Sequence, residues 1–200
     1  GATDALGATV EAAARRDPAY RETLAALQAR HVEAVEALLP PEAAGPVVDR
    51  IQRDCEDLND VLRAAWILRD GSRGSFDMVM GQGEIWAAQI LAAALVARGL
   101  ASTWLDAREV LAVETGRSRE APDILWDVTQ ERFASWQEAN GARTDVLVIT
   151  GFVASTVDGV PATLGRNGSD YSASIFGALF DAQEIHIWSD VDGVMSADPR

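Results

Sequence analysis

Three stretches of the chain place chemically capable side chains next to glycine or at the mouth of a predicted helix. The first is residues 164–173, where Gly165 and Gly168 flank Arg166 and the chain then enters a helix predicted over 169–182. Glycine lets the backbone approach a ligand closely. A helix N-terminus turns unpaired N–H groups and a positive dipole end toward an anion. The Arg166 guanidinium is a fork that fits a carboxylate. The same residues also suit an ordinary turn, with Ser169 or Asp170 as the N-cap. Asp170 adds a negative group, which suits a ligand that also carries an ammonium group or a metal ion.

The second stretch, residues 188–200, directly follows a predicted strand over 185–188. Loops at the C-terminal ends of parallel strands are where α/β proteins place ligands. Asp190 and Asp192 could position magnesium near phosphates, and they suit a solvated acidic turn equally well. The third stretch is Gly81-Gln82-Gly83-Glu84, early in an apolar helix predicted over 76–98. A carboxylate in such a helix is either paired with a ligand cation or favoured by the helix N-terminal dipole.

The elements that position these groups fall into two textures. Up to about residue 115 the chain reads as helices over 3–16, 19–39, 45–69 and 76–98, with residues 71–74 as a loop and Gly99 as a C-cap. Thr3 or Asp4 is the expected cap of the first. In the third, Val47, Val48, Ile51, Cys55, Leu58, Val61, Leu62, Ala65 and Trp66 make one apolar stripe. Beyond it, 101–105, 146–149 and 185–188 read as strands. The run 146–149 has the continuous apolar pattern of a strand buried on both faces, and the helix before 185–188 implies parallel pairing. The tryptophans, among them Trp66, Trp86 and Trp188, read as core anchors.

The net charge of -14 argues against nucleic acid or an anionic membrane as partner. All 17 basic residues are arginine, so cationic recognition rests on arginines and helix ends. No run of residues is apolar for the length of a bilayer; 85–96 reads as a buried helix. Cys55 lies in an acidic stretch that disfavours its thiolate, which gives it a structural role and fits a reducing, cytoplasmic compartment. There is no zinc-ligand spacing, nucleophile elbow or lysine-bearing phosphate loop.

Taken together, these stretches resemble the aspartate kinases of the amino-acid kinase superfamily. Residues 164–173 match G-R-x-G-S-D-[YFT]-[ST]-A, and 188–200 match W-[ST]-D-V-x-G-V-x-[ST]-x-D-P-R. Gly83-Glu84 matches the family's G-E helix, and residues 104–111 look like its L-D-x-R-x-[VI] strand end. Residues 1–4 look like the tail of its S-A-x-x-G-x-T-[ND] segment. Gly83 to Gln89, Thr150 to Thr156 and Asn167 are most similar to the kinase half of bifunctional aspartate kinase–homoserine dehydrogenases, the plant type above all. The family's K-F-G-G-[TS] strand is absent, as is any lysine. The chain is therefore expected to be an internal piece, residues 1–200, of one catalytic domain, inactive by itself. The fold implied is an α/β three-layer αβα sandwich of the carbamate kinase-like type, incomplete and helix-rich in its N-terminal half.

The activity implied is transfer of the γ-phosphate of ATP, with Mg2+, to the β-carboxylate of L-aspartate, giving 4-phospho-L-aspartate, the first step toward lysine, threonine and methionine. The resemblance assigns Arg166 and Ser169 to a substrate carboxylate, Glu84 to the α-ammonium with Asp170 beside it, and Thr3 to the opposite side of the substrate. It gives Arg166 and Asp170 the catalytic positions and puts Ser189, Asp190, Met195 and Arg200 around the nucleotide. The whole enzyme is expected to be a homo-oligomer, cytoplasmic or, if from a plant, plastidic. The alternatives are a glutamate or uridylate kinase of the same superfamily and a non-catalytic fragment.

Overall fold

The structure, a computed structural model, describes residues 1–114, 122–140, 145–165 and 167–188. Four helices come first: α1 (Ala2–Ala14), α2 (Ala19–Leu38), α3 (Pro41–Leu68) and α4 (Arg73–Ala97). Helix α1 starts at Ala2, so Thr3 and Asp4 lie inside its first turn and do not cap it. Helix α3 starts at Pro41, ahead of the expected Gly45, because proline at the first helical position gives up an N–H that would be unpaired anyway. Helix α4 starts at Arg73 inside the expected loop: the Ser72 hydroxyl accepts the Ser75 N–H at 3.3 Å and caps it. Just past its end Gly99 has φ +86, the left-handed conformation that closes many helices.

The helices share a core of Leu6, Val10, Tyr20, Ile51, Leu58, Leu62, Val79 and Trp86. Ile51, Cys55, Leu58, Leu62 and Ala65 of the predicted stripe are buried, and its other members pack against them. A polar node sets the rotation of α4 on α3. The Asp54 carboxylate accepts from Gln82 Nε2 at 2.8 Å, Trp86 Nε1 at 3.0 Å and Arg50 Nε at 3.0 Å. Arg16 donates to the Trp66 and Ile67 carbonyls, satisfying the C-terminal end of α3. Helix α4 is long and apolar enough to cross a membrane, but most of it is buried in this molecule, against α1, α3, and the two strands β1 (Ser102–Leu105) and β6 (Pro161–Thr163). It is the central core helix.

The second half follows as β1, a 3-10 turn at Ala107–Glu109, β2 (Val113–Glu114), β3 (Asp123–Ile124), α5 (Trp126–Asn140), β4 (Val146–Ile149), β5 (Val153–Ser155), β6 and α6 (Gly168–Leu179). Strands β1 and β4 pair in parallel, Ser102 opposite Val146 through Leu105 opposite Ile149, with α5 in the crossover between them. Strand β4 is half-buried along its length: among the described residues β1 is its one strand partner, while Leu147 and Ile149 pack against the second core and α4 also contacts the strand. Strands β5 and β6 form an antiparallel hairpin that was not among the expected strands. The run 185–188 is not a strand: no described backbone pairs with it, and Ile185, Ile187 and Trp188 lie exposed. Trp188 is therefore no core anchor, whereas Trp86 is fully buried. A second core of Leu105, Val110, Phe133, Val153, Leu164 and Ile175 holds the strands, α5 and α6 together.

Candidate active site

Glu84 sits in the middle of α4, not in its first turn, so the helix N-terminal dipole does not account for a carboxylate there. It is half-buried, and loss of solvent raises its carboxyl pKa above the ordinary 4.5. No hydrogen bond or ion pair from the described residues meets it. At about 100° per residue, Asp77, Gly81 and Glu84 lie on one stripe of α4, and Gln82 and Trp86, which bind Asp54, lie on the other side. The α3 node thus turns the Glu84 stripe away from α3.

The stripe faces the β5–β6 hairpin. A Cβ at Gly81 would come within 2.7 Å of Val153 Cγ1, so this crossing requires glycine. The Thr163 hydroxyl donates to Asp77 Oδ1 at 2.8 Å. Val153 and Thr163 are partners in the hairpin register, so α4 touches both strands at one level. Helix α1 lies along the flank of the stripe: a Cβ at Gly83 would meet Leu6 Cδ1 at 3.4 Å and the Ala2 Cβ at 3.6 Å. Half-buried Thr3, next to Ala2, is on the turn of α1 that passes this part of α4.

From Thr163 the chain runs through Leu164 and Gly165 into α6. Gly165 has φ +75, and Asn167 occupies the N-cap position with φ 57. The helix therefore starts at Gly168, with a left-handed Asn167 as its cap in place of Ser169 or Asp170. A Cβ on Gly168 would meet Phe152 Cδ2 at 2.9 Å and Leu164 Cβ at 3.1 Å, which explains the glycine. Phe152, itself at φ 68, donates its N–H to Ser172 Oγ at 2.9 Å. Two non-glycine residues, Phe152 in the β4–β5 connection and Asn167 before α6, are thus left-handed on loops that touch, the kind of strain that concentrates at functional sites. Gly151 touches Ser169, whose Cα would lie 3.3 Å from an added Cβ. Ser169 and Asp170 are exposed in the first turn of α6, where the free N–H groups point.

The structure places Thr3 in the first turn of α1, Glu84 on the α4 stripe whose Asp77 and Gly81 meet the hairpin, and Ser169 and Asp170 in the first turn of α6, which follows the hairpin. Arg166, Ser189, Asp190, Asp192, Met195 and Arg200 lie outside the described residues. Sequence reasoning missed Asp77 and Phe152. The signal for Asp77 was its spacing of seven residues from Glu84 on a helix; Phe152 offered none. The buried Asp77 carboxyl is raised by loss of solvent, against the opposing pull of Thr163 and Arg73. Among the described residues no group of three or more His, Cys, Asp and Glu side chains could hold a metal ion. An apolar groove of about 580 Å3 between α2 and α4 holds none of the site residues but borders Ala2.

A family model, the Amino acid kinase family, matches residues 10–200. The chain belongs to the amino acid kinase family. Among curated relatives of this family member, the chain is 38% identical over 199 residues to the chloroplastic bifunctional aspartokinase/homoserine dehydrogenase 1 of Arabidopsis thaliana. That match covers 99% of the chain and 21% of the relative, so the chain spans about a fifth of that protein. Its fold is that of E. coli aspartokinase III. The structure of that enzyme with lysine and aspartate, in the T-state, superposes with TM-score 0.83 at 25% identity. The structure with aspartate and ADP, in the R-state, gives 0.82 at 26%. Each match covers 100% of the chain and 42% of the aspartokinase chain. The chain thus shares the α/β amino acid kinase fold, of which it holds a helix-rich part.

Proposed function

We propose that residues 1–200 are part of one aspartate kinase catalytic domain and supply its L-aspartate site. The observation that carries the reading is Glu84: a half-buried carboxylate with no described cation partner, on the α4 stripe that meets the hairpin from which the chain enters α6. A cation on the ligand relieves its burial, and a ligand carboxylate suits the N–H groups and Ser169 at the start of α6. An α-amino acid carries both charges. The likeness to aspartokinases, one of them solved with aspartate and ADP, supports aspartate as that amino acid and ATP as the donor.

The chemistry asks little of the protein beyond placement. An aspartate β-carboxylate is already ionised at neutral pH, so no general base is needed. Its oxygen forms a bond to the γ-phosphorus, the bond from that phosphorus to the β,γ-bridging oxygen breaks, and ADP leaves with the electron pair. The residues here hold the acceptor still and neutralise charge, which is most of what a phosphoryl-transfer site does. Glu84 holds the α-ammonium, with Asp170 beside it. Arg166 and Ser169 hold the α-carboxylate, and Thr3 closes the side toward α1. Ser189, Asp190, Met195 and Arg200 are assigned to the nucleotide. Magnesium, which enters with ATP and keeps mostly phosphate and water ligands, supplies charge neutralisation; its protein ligands would come from the Asp190 and Asp192 segment.

The test is ADP release by the full-length polypeptide with ATP, Mg2+ and single acceptors. Release dependent on L-aspartate is expected. Release with L-glutamate or uridine monophosphate in its place would assign the chain to another branch of the family.

A further inference from the structure

Resting on the aspartate-site reading, we infer that Asp77 and Thr163 form a positioning pair that sets the distance between the ammonium-binding and carboxylate-binding halves of that site. An α-amino acid is a short, stiff ruler: its ammonium and carboxylate sit on one carbon. The groups proposed to read them sit on different segments, Glu84 on α4 and Ser169 in the first turn of α6. Small slippage between those segments weakens both contacts at once.

The Thr163 hydroxyl to Asp77 carboxylate bond ties α4 to β6, from which the chain runs through Gly165 into α6. It spans 86 residues of sequence, measures 2.8 Å and is buried, with Asp77 8% and Thr163 7% exposed. Asp77 lies two turns before Glu84 on the same stripe of a helix whose rotation the Asp54 node already fixes. Thr163 lies two residues before Gly165, where the site loop departs from β6. At the same level Gly81 closes onto Val153, so hydrogen bond and steric stop act together on one rung of the hairpin. A buried bond to a carboxylate has direction and strength that apolar packing lacks. Asp77 is buried and engaged by Thr163 and Arg73, so its part is positioning.

The experiment uses the full-length polypeptide and three variants: Thr163→Val, which keeps the shape and removes the hydroxyl, Thr163→Ser, which keeps the hydroxyl, and Glu84→Gln as the site control. Thr163→Val is expected to raise KM for aspartate about tenfold, the loss of a hydrogen bond to a charged group, with KM for ATP within about twofold. Thr163→Ser should restore the aspartate KM. A general packing defect would move both Michaelis constants or be repaired by neither variant, and either outcome overturns the pair. If Thr163→Val melts below the assay temperature, Asp77→Asn takes its place. It keeps an acceptor but removes the charge, so aspartate KM should rise about threefold with ATP KM unchanged, and an unchanged aspartate KM would overturn the proposal. If Glu84→Gln raises aspartate KM while Thr163→Val leaves it alone, the pair falls and the site stands. If Glu84→Gln has no effect, the site reading itself falls.

Discussion

Replacing Glu84 by glutamine should weaken aspartate binding without harming the fold, a combination that a scaffold residue does not give. Glutamine keeps the shape and one acceptor but not the charge. A hydrogen bond to a charged partner is worth about 1.5–3 kcal/mol, or about 10- to 150-fold in affinity at about 1.4 kcal/mol per factor of ten. The stability side has the opposite sign. Burial raises the Glu84 pKa above its unfolded value of 4.5, so the fold favours the neutral acid. That contribution is whole below pH 4.5 and is lost as pH rises through the folded pKa. The wild type should therefore melt with or below Glu84→Gln at pH 7, and the relative standing of the wild type should improve as pH falls toward 4. Aspartate kinetics in the full-length polypeptide and melting of the same variant between pH 4 and 8 make the assay. A variant that melts lower at pH 7 with unchanged aspartate KM would refute the reasoning and leave Glu84 a structural residue.

Two further outcomes follow from the helical core. Burial, with Asp54 adjacent, pushes the Cys55 thiol from 9.0 up to about 12, so at pH 8 it holds about a thousandth of a free cysteine's thiolate and should resist iodoacetamide until the protein unfolds; rapid labelling of folded protein would contradict this. Trp86→Phe removes one of three donors to Asp54 from a fully buried site and should cost about 2–4 kcal/mol in a denaturant titration, whereas a cost under about 1 kcal/mol would show that the node does not hold α3 to α4.

What could be read in advance was mostly local. The α3 stripe, the ends of α2 and the Gly99 stop follow from helical spacing and capping chemistry. The start of α4 was misplaced because Gly71-Ser72-Arg73-Gly74 resembles a loop, although Ser72 makes a good cap. Glu84 is more than two turns into the helix on either start, beyond the first turn where a dipole would account for it. Strand readings depend on distant partners. The apolar run 146–149 found one in β1, whereas 185–188 meets no described strand and lies at the surface. The site motifs named Glu84 and Ser169 as candidates, one of which lies in the middle of α4 and the other in the first turn of α6. The Thr163 bond to Asp77 joins positions 86 apart, and no pattern along the chain announces it.

The central claim is that this chain helps make an acyl phosphate of aspartate, and trapping that product tests it most directly. The full-length polypeptide, incubated with ATP, Mg2+, L-aspartate and hydroxylamine, should yield the β-hydroxamate of aspartate in step with ADP, with little or none when succinate, which lacks the ammonium group that Glu84 is proposed to hold, replaces aspartate. An active preparation that releases ADP without forming aspartyl hydroxamate, or that accepts succinate as readily as L-aspartate, would contradict the account.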